Sequence, residues 1–387
     1  MGVLRYLTSG ESHGPALTVV VEGLPAGLTV TPEPIAGELR RRRMGYGRGA
    51  RMKIEADEFE ILGGVRHGRS LGSPISVVIR NTEWEKWSEV MSPAPIDVPP
   101  KPLTRPRPGH ADLVGMLKYG LRDARDVLER ASARETTART VAGTLAKLLL
   151  GEIGFRIISH VVQIGTVRAP DEVVPWPDDV DRIEASSVRC LDAEAEAAMI
   201  EAIEAAKADG DTLGGVFEVV AHGVPAGLGS YVHWDRKIDG RLAQAMLSIN
   251  AMKGVGIGDG FDVAARPGSA AHDEILWSEE LGYHRPTGRS GGIEGGVTTG
   301  EPVRIRVAMK PLSTLRKALR TVDIETKEEA IAIVERTDTC AVPSACVIGE
   351  AVAAFVLADA ALEKFGGDSV DEFAASHERW LDRLRKA

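Results

Sequence analysis

The chain has 387 residues, 43% hydrophobic and 27% charged, with a formal net charge of −9. This is ordinary globular composition, which excludes a mainly disordered chain, and the acidic balance argues against general nucleic-acid or membrane-surface binding. Three cysteines (Cys190, Cys340 and Cys346) with no Cys-x-x-Cys pair offer neither a disulfide framework nor a zinc ribbon, so a soluble, cytoplasmic protein is expected.

Met1 to Leu7 reads as a strand, not as a charged leader before an apolar run. Gly10-Glu11-Ser12-His13-Gly14 follows, an exposed polar turn suited to ligand contact, with a capped-turn histidine as the alternative. Its Gly-x-Ser-x-Gly spacing matches a hydrolase elbow, but that elbow opens a helix, and here Pro15 leads into the strand-like Thr18 to Val21. Six arginines lie among the twelve residues Arg40 to Arg51. On a helix Arg40 to Arg43 point in different directions, so at most two can face one ligand. A small-anion site, a solvated charged face and a nucleic-acid arm all remain open for this cluster.

Pro93 to Pro108 holds seven of the 21 prolines, which predicts an extended surface loop. At its end Asp112 can cap a helix, and His110 sits just outside that helix N-terminus beside Arg107. Both neighbours disfavour protonation of His110 unless an anion supplies negative charge. Ala111 to Leu150 reads as mostly helical, and Arg130 and Arg134 could pair with nearby glutamates at helical spacing. Asp192 to Asp209, Thr326 to Thr337 and Ser344 to Phe365 also read as helices. The longest apolar runs, such as Ala351 to Ala361, are too short to span a bilayer. Walker A, Rossmann and metal-ligand spacings are absent, so no metal is expected.

The 42 glycines include an ordered repeat. Gly23-Leu24-Pro25-Ala26-Gly27-Leu28 recurs as Gly223-Val224-Pro225-Ala226-Gly227-Leu228, and Ile35-x-Gly37-x-Leu39 as Ile238-x-Gly240-x-Leu242. Gly63-Gly64-Val65 through Gly72-x-Pro74-Ile75 recurs as Gly291-Gly292-Ile293 through Gly300-x-Pro302-Val303. Arg130 and Gly143 then align with Arg336 and Gly349. Insertions fall between about Glu83 and His110 in the first copy and about Asp262 and Arg289 in the second. We therefore expect a single α+β domain over 1–387, built from an internally duplicated unit. Its pseudo-equivalent halves would lie at about 1–155 and 215–366, with a ligand site between them. Across a pseudo-twofold, Arg130 and Ser132 should answer Arg336 and Asp338.

Taken together, the Gly10 to Gly14 turn, Arg41-Arg42-Arg43, Arg105 to Asp112, Arg130-Ala131-Ser132-Ala133-Arg134-Glu135-Thr136, Ser248 to Val255, Gly258-Asp259-Gly260-Phe261 and Arg336-Thr337-Asp338-Thr339-Cys340 resemble the chorismate synthase family, from about residue 5 to residue 366. The resemblance implies a β-α-β sandwich, a homotetramer, and conversion of 5-enolpyruvylshikimate 3-phosphate to chorismate and phosphate. It also implies reduced FMN without net redox change. By the same resemblance His13, His110 and Asp338 are catalytic: His13 at the leaving phosphate, His110 near the flavin, and Asp338 managing a proton at flavin N5. Ser12, Arg42, Arg48, Arg107 and Arg134 match substrate-binding positions. FMN contacts carry over to Arg130, Ala131, Ser132, Asn250, Ala251 and Gly295, to Lys310, Pro311, Leu312, Ser313 and Thr314, and to Arg336. The family also assigns Arg42 and Arg48 to NADP, although a substrate with two carboxylates and a phosphate needs those same guanidiniums. Some members carry His-Asp-Pro-Cys where this chain has Thr337-Asp338-Thr339-Cys340, which keeps the aspartate.

Overall fold

The computed structural model describes residues 4–48, 57–171, 173–317, 319–333 and 337–387. β1 (Arg5–Ser9) turns at the first glycine cluster into β2 (Ala16–Glu22), which runs antiparallel beside it. Leu17, Val19 and Val21 are buried while Val20 is exposed, the period of two expected of a strand covered on one face. α1 (Pro32–Arg43) has proline in its first turn, where a missing N–H costs no bond. Next come β3 (Phe59–Gly63), a small hairpin of β4 (Val65–Arg66) and β5 (Arg69–Ser70), and β6 (Ile75–Arg80). The first sheet is antiparallel in the order β1-β2-β6-β3. Four helices follow: α2 (Trp84–Trp87), α3 (Asp112–Tyr119), α4 (Arg125–Ala131) and α5 (Thr136–Gly151).

β7 (Arg156–Ile164) opens a second sheet, followed by β8 (Val167–Arg168), α6 (Val180–Ala185) and α7 (Ala193–Asp209). Asp192 caps α7 and Gly210, in the left-handed region, ends it. Then come β9 (Gly215–His222), α8 (Ile238–Leu247) and β10 (Met252–Ile257). The second insertion carries α9 (Gly268–Ala271) and the hairpin β11 (Leu276–Ser278) and β12 (Gly282–His284). The chain continues through β13 (Ile293–Glu294), β14 (Val297–Thr298) and β15 (Val303–Met309), then β16 (Arg320–Val322) and β17 (Glu329–Ile331). It closes with α10 (Val342–Phe365) and α11 (Val370–Arg385). The second sheet has the order β10-β15-β9-β7-β8.

α5 packs on β2 and against α10, and α10 packs on β7 and β9, so the helices form the middle layer of a β-α-β sandwich. Gly143 lets them meet: a Cβ there would collide with the backbone of Ala351. One continuous apolar core runs through all three layers. α10 is long and apolar enough to cross a bilayer, yet it is buried at the centre of that core.

The two sheets repeat one another in detail. Ser70 Oγ donates to Pro25 O and accepts from Leu28 N–H, and Thr298 Oγ1 does the same with Pro225 O and Leu228 N–H. Register repeats too, with Val21 opposite Ile75 and Ala221 opposite Val303. β7 flanks β9 as β1 flanks β2, so the strand equivalent to β1 lies before the 215–366 segment.

Two predicted features differ. Thr326 to Thr337 is not a helix: β16 and β17 form a hairpin, and residues 334–336 lie outside the described residues. The Asp323 carboxylate accepts from the amides of Glu325 and Thr326, and Lys327 turns at φ +65°, so local turn chemistry overrides helix propensity. The proline-rich loop is largely exposed as expected, but its end is not, because Pro106 and Arg107 are buried.

Candidate active site

The Gly10 to Gly14 turn joins two strands, which removes the hydrolase-elbow reading. α4 holds it in place. Ser12 N–H donates to Glu129 O (3.0 Å), and His13 donates its backbone N–H (3.0 Å) to Glu129 Oε2, with Nδ1 2.8 Å from the same oxygen. Arg125 Nη1 reaches the other oxygen of that buried carboxylate at 3.1 Å. Burial alone would raise the Glu129 carboxyl, but His13 and Arg125 outweigh it and hold it below its ordinary value. The Trp87 ring of α2 stacks on His13 with centroids 4.0 Å apart, and Arg125 lies over the same indole. A small cleft opens beside them, lined by Ser12, His13, Asn81, Glu83, Trp84 and Arg134.

Among the described residues, Arg130 and Arg134 make other bonds than the helical pairs with glutamate that their spacing allows. Arg130 donates to the carbonyls of Thr8 and Gly10 and to Thr8 Oγ1, so it braces the turn. Arg134 donates to Asn81 Oδ1 at 3.2 and 3.1 Å and pairs with Asp57. The reason is the break after α4: Ser132 is extended, its Oγ accepts from Arg134 N–H, and the helical face is interrupted. Arg42 also reaches this elbow, donating to Ala133 O (3.1 Å) and Thr136 Oγ1. Asn250 Nδ2 donates to Ala131 O (2.9 Å). Thus α4 and the residues just after it gather Ser12, His13, Arg42, Arg130, Ala131, Ser132, Arg134 and Asn250.

The His110 loop meets a second predicted group. Lys310 Nζ and Ser313 Oγ both donate to Gly109 O, at 2.6 and 2.8 Å, and Arg107 Nη1 donates to Thr314 Oγ1 at 3.0 Å. Leu312 O accepts from Thr212, and Pro311 beside it is exposed while Lys310 and Leu312 to Thr314 are half-buried. Asp112 does not cap α3, as its side chain makes no cap bond there. It turns back instead, taking Arg107 N–H and Nε on Oδ2, while His110 Nδ1 lies 2.5 Å from Oδ1. The expectation that His110 lacks negative charge without a bound anion is thereby corrected. Burial would raise Asp112, but hydrogen bonds from His110 and Arg107 keep it well below the carboxylate range. Burial, with Lys253 close by, lowers Lys310.

Arg48 Nη1 lies 3.1 Å from Asp338 Oδ2, bringing a predicted substrate residue to a predicted catalytic one. Thr339 N–H donates to Gly47 O and locks the two segments together. The neighbouring Cys340 thiol is pushed up to about 11 by burial, which makes it a poor nucleophile. Gly295 lies in the β13–β14 turn, and among the described residues no hydrogen bond joins it to the others. Arg336 lies outside the described residues, so its pairing with Arg130 does too. Sequence reasoning missed Glu129, Asp112 as a histidine partner, and Trp87. Glu129 is 116 residues from His13, and nothing local marks it.

For a flavin, the chemistry of the donor set fits. Asn250 Oδ1 is a buried acceptor with no hydrogen-bond partner among the described residues, beside Ala251 in the left-handed region at φ +69°, and Lys310 offers a cation close to Lys253. A planar heterocycle with an N–H edge and an anionic tail would satisfy both needs.

A model of the chorismate synthase family matches residues 4–362. A chorismate synthase of Nocardioides sp. is 57% identical over 391 residues, covering 99% of this chain and all of that one. One of Salinispora tropica is 58% identical over 390 residues, covering 99% of each. A solved structure titled "Crystal Structure of Chorismate Synthase" superposes with TM-score 0.80 at 42% identity, again covering 99% of each chain. The chain therefore belongs to the chorismate synthase family, carbon–oxygen lyases of the shikimate pathway that serve aromatic amino-acid biosynthesis.

Proposed function

We propose that this enzyme converts 5-enolpyruvylshikimate 3-phosphate to chorismate and phosphate by 1,4-elimination, using reduced FMN without net redox change. One C–O bond to phosphate and one C–H bond break, a ring double bond forms, and the hydrogen leaves as a proton. The observation that supports the reading is the α4 elbow, which sets His13 and Arg134 in one cleft and has Arg42 bonded to its backbone. Reduced FMN, when bound, supplies electron density for the cleavage and regains it. Asn250, Ala251 and Lys310 to Thr314 would hold it, together with Ala131 and Ser132. Arg130 would serve that contact through the turn it braces, and Gly295 and Arg336 complete the proposed set.

Ser12, Arg42, Arg48, Arg107 and Arg134 would bind the phosphate and two carboxylates. Charge grows on the departing phosphate, so these guanidiniums stabilise the transition state more than the ground state. His13 would carry a proton toward the leaving group, His110 would hold one beside the cofactor, and Asp338 would accept one there. We read Arg42 and Arg48 as substrate residues, not as an NADP site, since Arg48 faces Asp338 and Arg42 faces the elbow. The chain is read as one domain of two pseudo-equivalent halves, supported by the repeated bonds of Ser70 and Thr298. It is read further as a cytoplasmic homotetramer that binds neither nucleic acid nor membrane. Engagement of Arg41, Arg42 and Arg48 inside the protein supports the last point.

The test is an anaerobic assay of phosphate and chorismate with FMN reduced once. Catalytic turnover without further reductant is expected, and His13→Ala or His110→Ala should lower it about 10²–10⁴-fold. One reductant consumed per product would overturn the lyase reading.

A further inference from the structure

We infer that Glu129 and Asp112 are positioning residues that hold His13 and His110 as Nδ1–H tautomers, so that each presents Nε2 as its proton-exchanging nitrogen. This rests on the roles proposed above for the two histidines. The two settings are built alike although they lie on different segments. Each carboxylate is buried, with side-chain exposure of 1% for Glu129 and 0% for Asp112, while each imidazole keeps some exposure, so a ligand at either histidine meets the imidazole and not the acid. Each takes a backbone N–H, a guanidinium and an imidazole. For Glu129 these are the His13 amide and Nδ1 on Oε2, with Arg125 on Oε1. For Asp112 they are the Arg107 amide and Nε on Oδ2, with Arg107 Nη2 (3.1 Å) and His110 Nδ1 on Oδ1.

A carboxylate surrounded by cationic and amide donors stays ionised and has acceptors only, so the facing ring nitrogen must bear the hydrogen. Arg107 Nη2 also lies 3.2 Å from His110 Nδ1. Two donors cannot bond each other, so both are directed at Asp112 Oδ1. Around His13 the remaining faces are set by the stacked Trp87 and by Arg134 and Glu83 at the cleft. Around His110 they are set by Arg107 and by Lys310, which grips Gly109. The carboxylates therefore determine which nitrogen works, and the stack on Trp87 fixes the plane of one ring.

The first test uses the wild-type enzyme labelled with ¹⁵N-histidine, with resonances assigned through His13→Ala and His110→Ala. In the neutral ring both residues should show a protonated Nδ1 and a bare Nε2, and the reverse pattern at either residue overturns the inference for it. The second test measures Glu129→Gln and Asp112→Asn, whose amides can donate to Nδ1 and reverse the tautomer. Expected is a fall in kcat on the order of 10²–10⁴-fold with KM little changed, the behaviour of a catalytic histidine whose orienting carboxylate becomes an amide. Wild-type kcat in folded variants overturns it. If the wild type made no chorismate, the functional reading would fall, while the nitrogen pattern would still decide the tautomers.

Discussion

A carboxylate with no solvent contact depends wholly on its neighbours, and Glu350 of α10 is such a residue. Arg41 grips it with two hydrogen bonds of 2.8 and 2.9 Å, Lys147 reaches it at 2.5 Å, and Arg189 and Ser159 complete the shell. Burial would raise its carboxyl, but Arg41 and Lys147 outweigh that and keep it ionised. Glu350→Gln would remove the buried carboxylate that Arg41, Lys147 and Arg189 share, leaving them to the outer partners Glu38 and Glu184. The expected loss is about 3–5 kcal/mol, the scale for breaking a buried pair from one side. Denaturant unfolding checks this, and a loss under about 0.5 kcal/mol would mean that Glu38 and Glu184 suffice for the cations. Arg41 belongs to the arginine run whose residues must point apart on a helix. That geometric point was legible in the sequence, whereas the partner was not: Glu350 sits inside an apolar helix 309 residues further on. The same holds for Glu129, while Asp112 was visible beside His110 but read as a cap.

α11 shows what an element can do without touching the cleft. Ala26 and Ala226 occupy matching places in the repeated Gly-x-Pro-Ala-Gly-Leu turns, and the C-terminal segment holds both. Ala26 N–H donates to Asp368 O and Ala26 O accepts from Val370 N–H, while Trp380 Nε1 donates to Ala226 O at 2.8 Å. Lys364 lies 3.3 Å over the Trp380 ring, and Phe373 is fully buried. α11 is thus a strap across the two turns. Trp380→Phe should cost about 1 kcal/mol for the lost hydrogen bond. Removal of residues 367–387 should lower the melting temperature further by exposing Phe365 and the ends of both turns. Unchanged melting in the truncated chain would show that the strap carries no load. In the structure Ser369 and Glu372 form a capping box that starts this helix, a start not read from the sequence, and its two docking points follow only from the fold. The strands were legible because their alternation is strong. The hairpin β16–β17 was not, because a turn seeded by one aspartate carries little periodic signal.

At the scale of the molecule, the repeat placed both sheets and the central helices, since glycine-proline turns and apolar periods survive in both copies. What it left invisible is the polar chemistry on the far face of the second sheet. There Glu218 of β9 is fully buried, flanked across the strands by His160 and Arg306. Arg304 Nη2 and Arg306 Nε each donate to its Oε1 at 2.9 Å, His160 Nε2 lies 3.3 Å from Oε2, and Arg306 extends the network to Asp171. Burial would raise Glu218, but His160, Arg304 and Arg306 outweigh it and bring the carboxyl down to about 2 from an ordinary 4.5. A carboxyl lowered by folding binds fewer protons in the native state than in the unfolded one, so stability rises with pH across that interval. The contribution is complete above about pH 4.5 and is lost as the pH falls toward 2. Its size is roughly 3 kcal/mol, at about 1.4 kcal/mol per pH unit of displacement. Glu218→Gln should therefore flatten the slope of unfolding free energy against pH between 4.5 and 2 by up to one proton. It should also lower stability at neutral pH, because Arg304 and Arg306 lose the buried counter-charge they share and keep only Asp259 and Asp171 among the described residues. Urea titrations at several pH values separate the two effects. A parallel slope in the variant would show that Glu218 does not titrate with unfolding, and that acid sensitivity comes from other carboxylates such as Glu350.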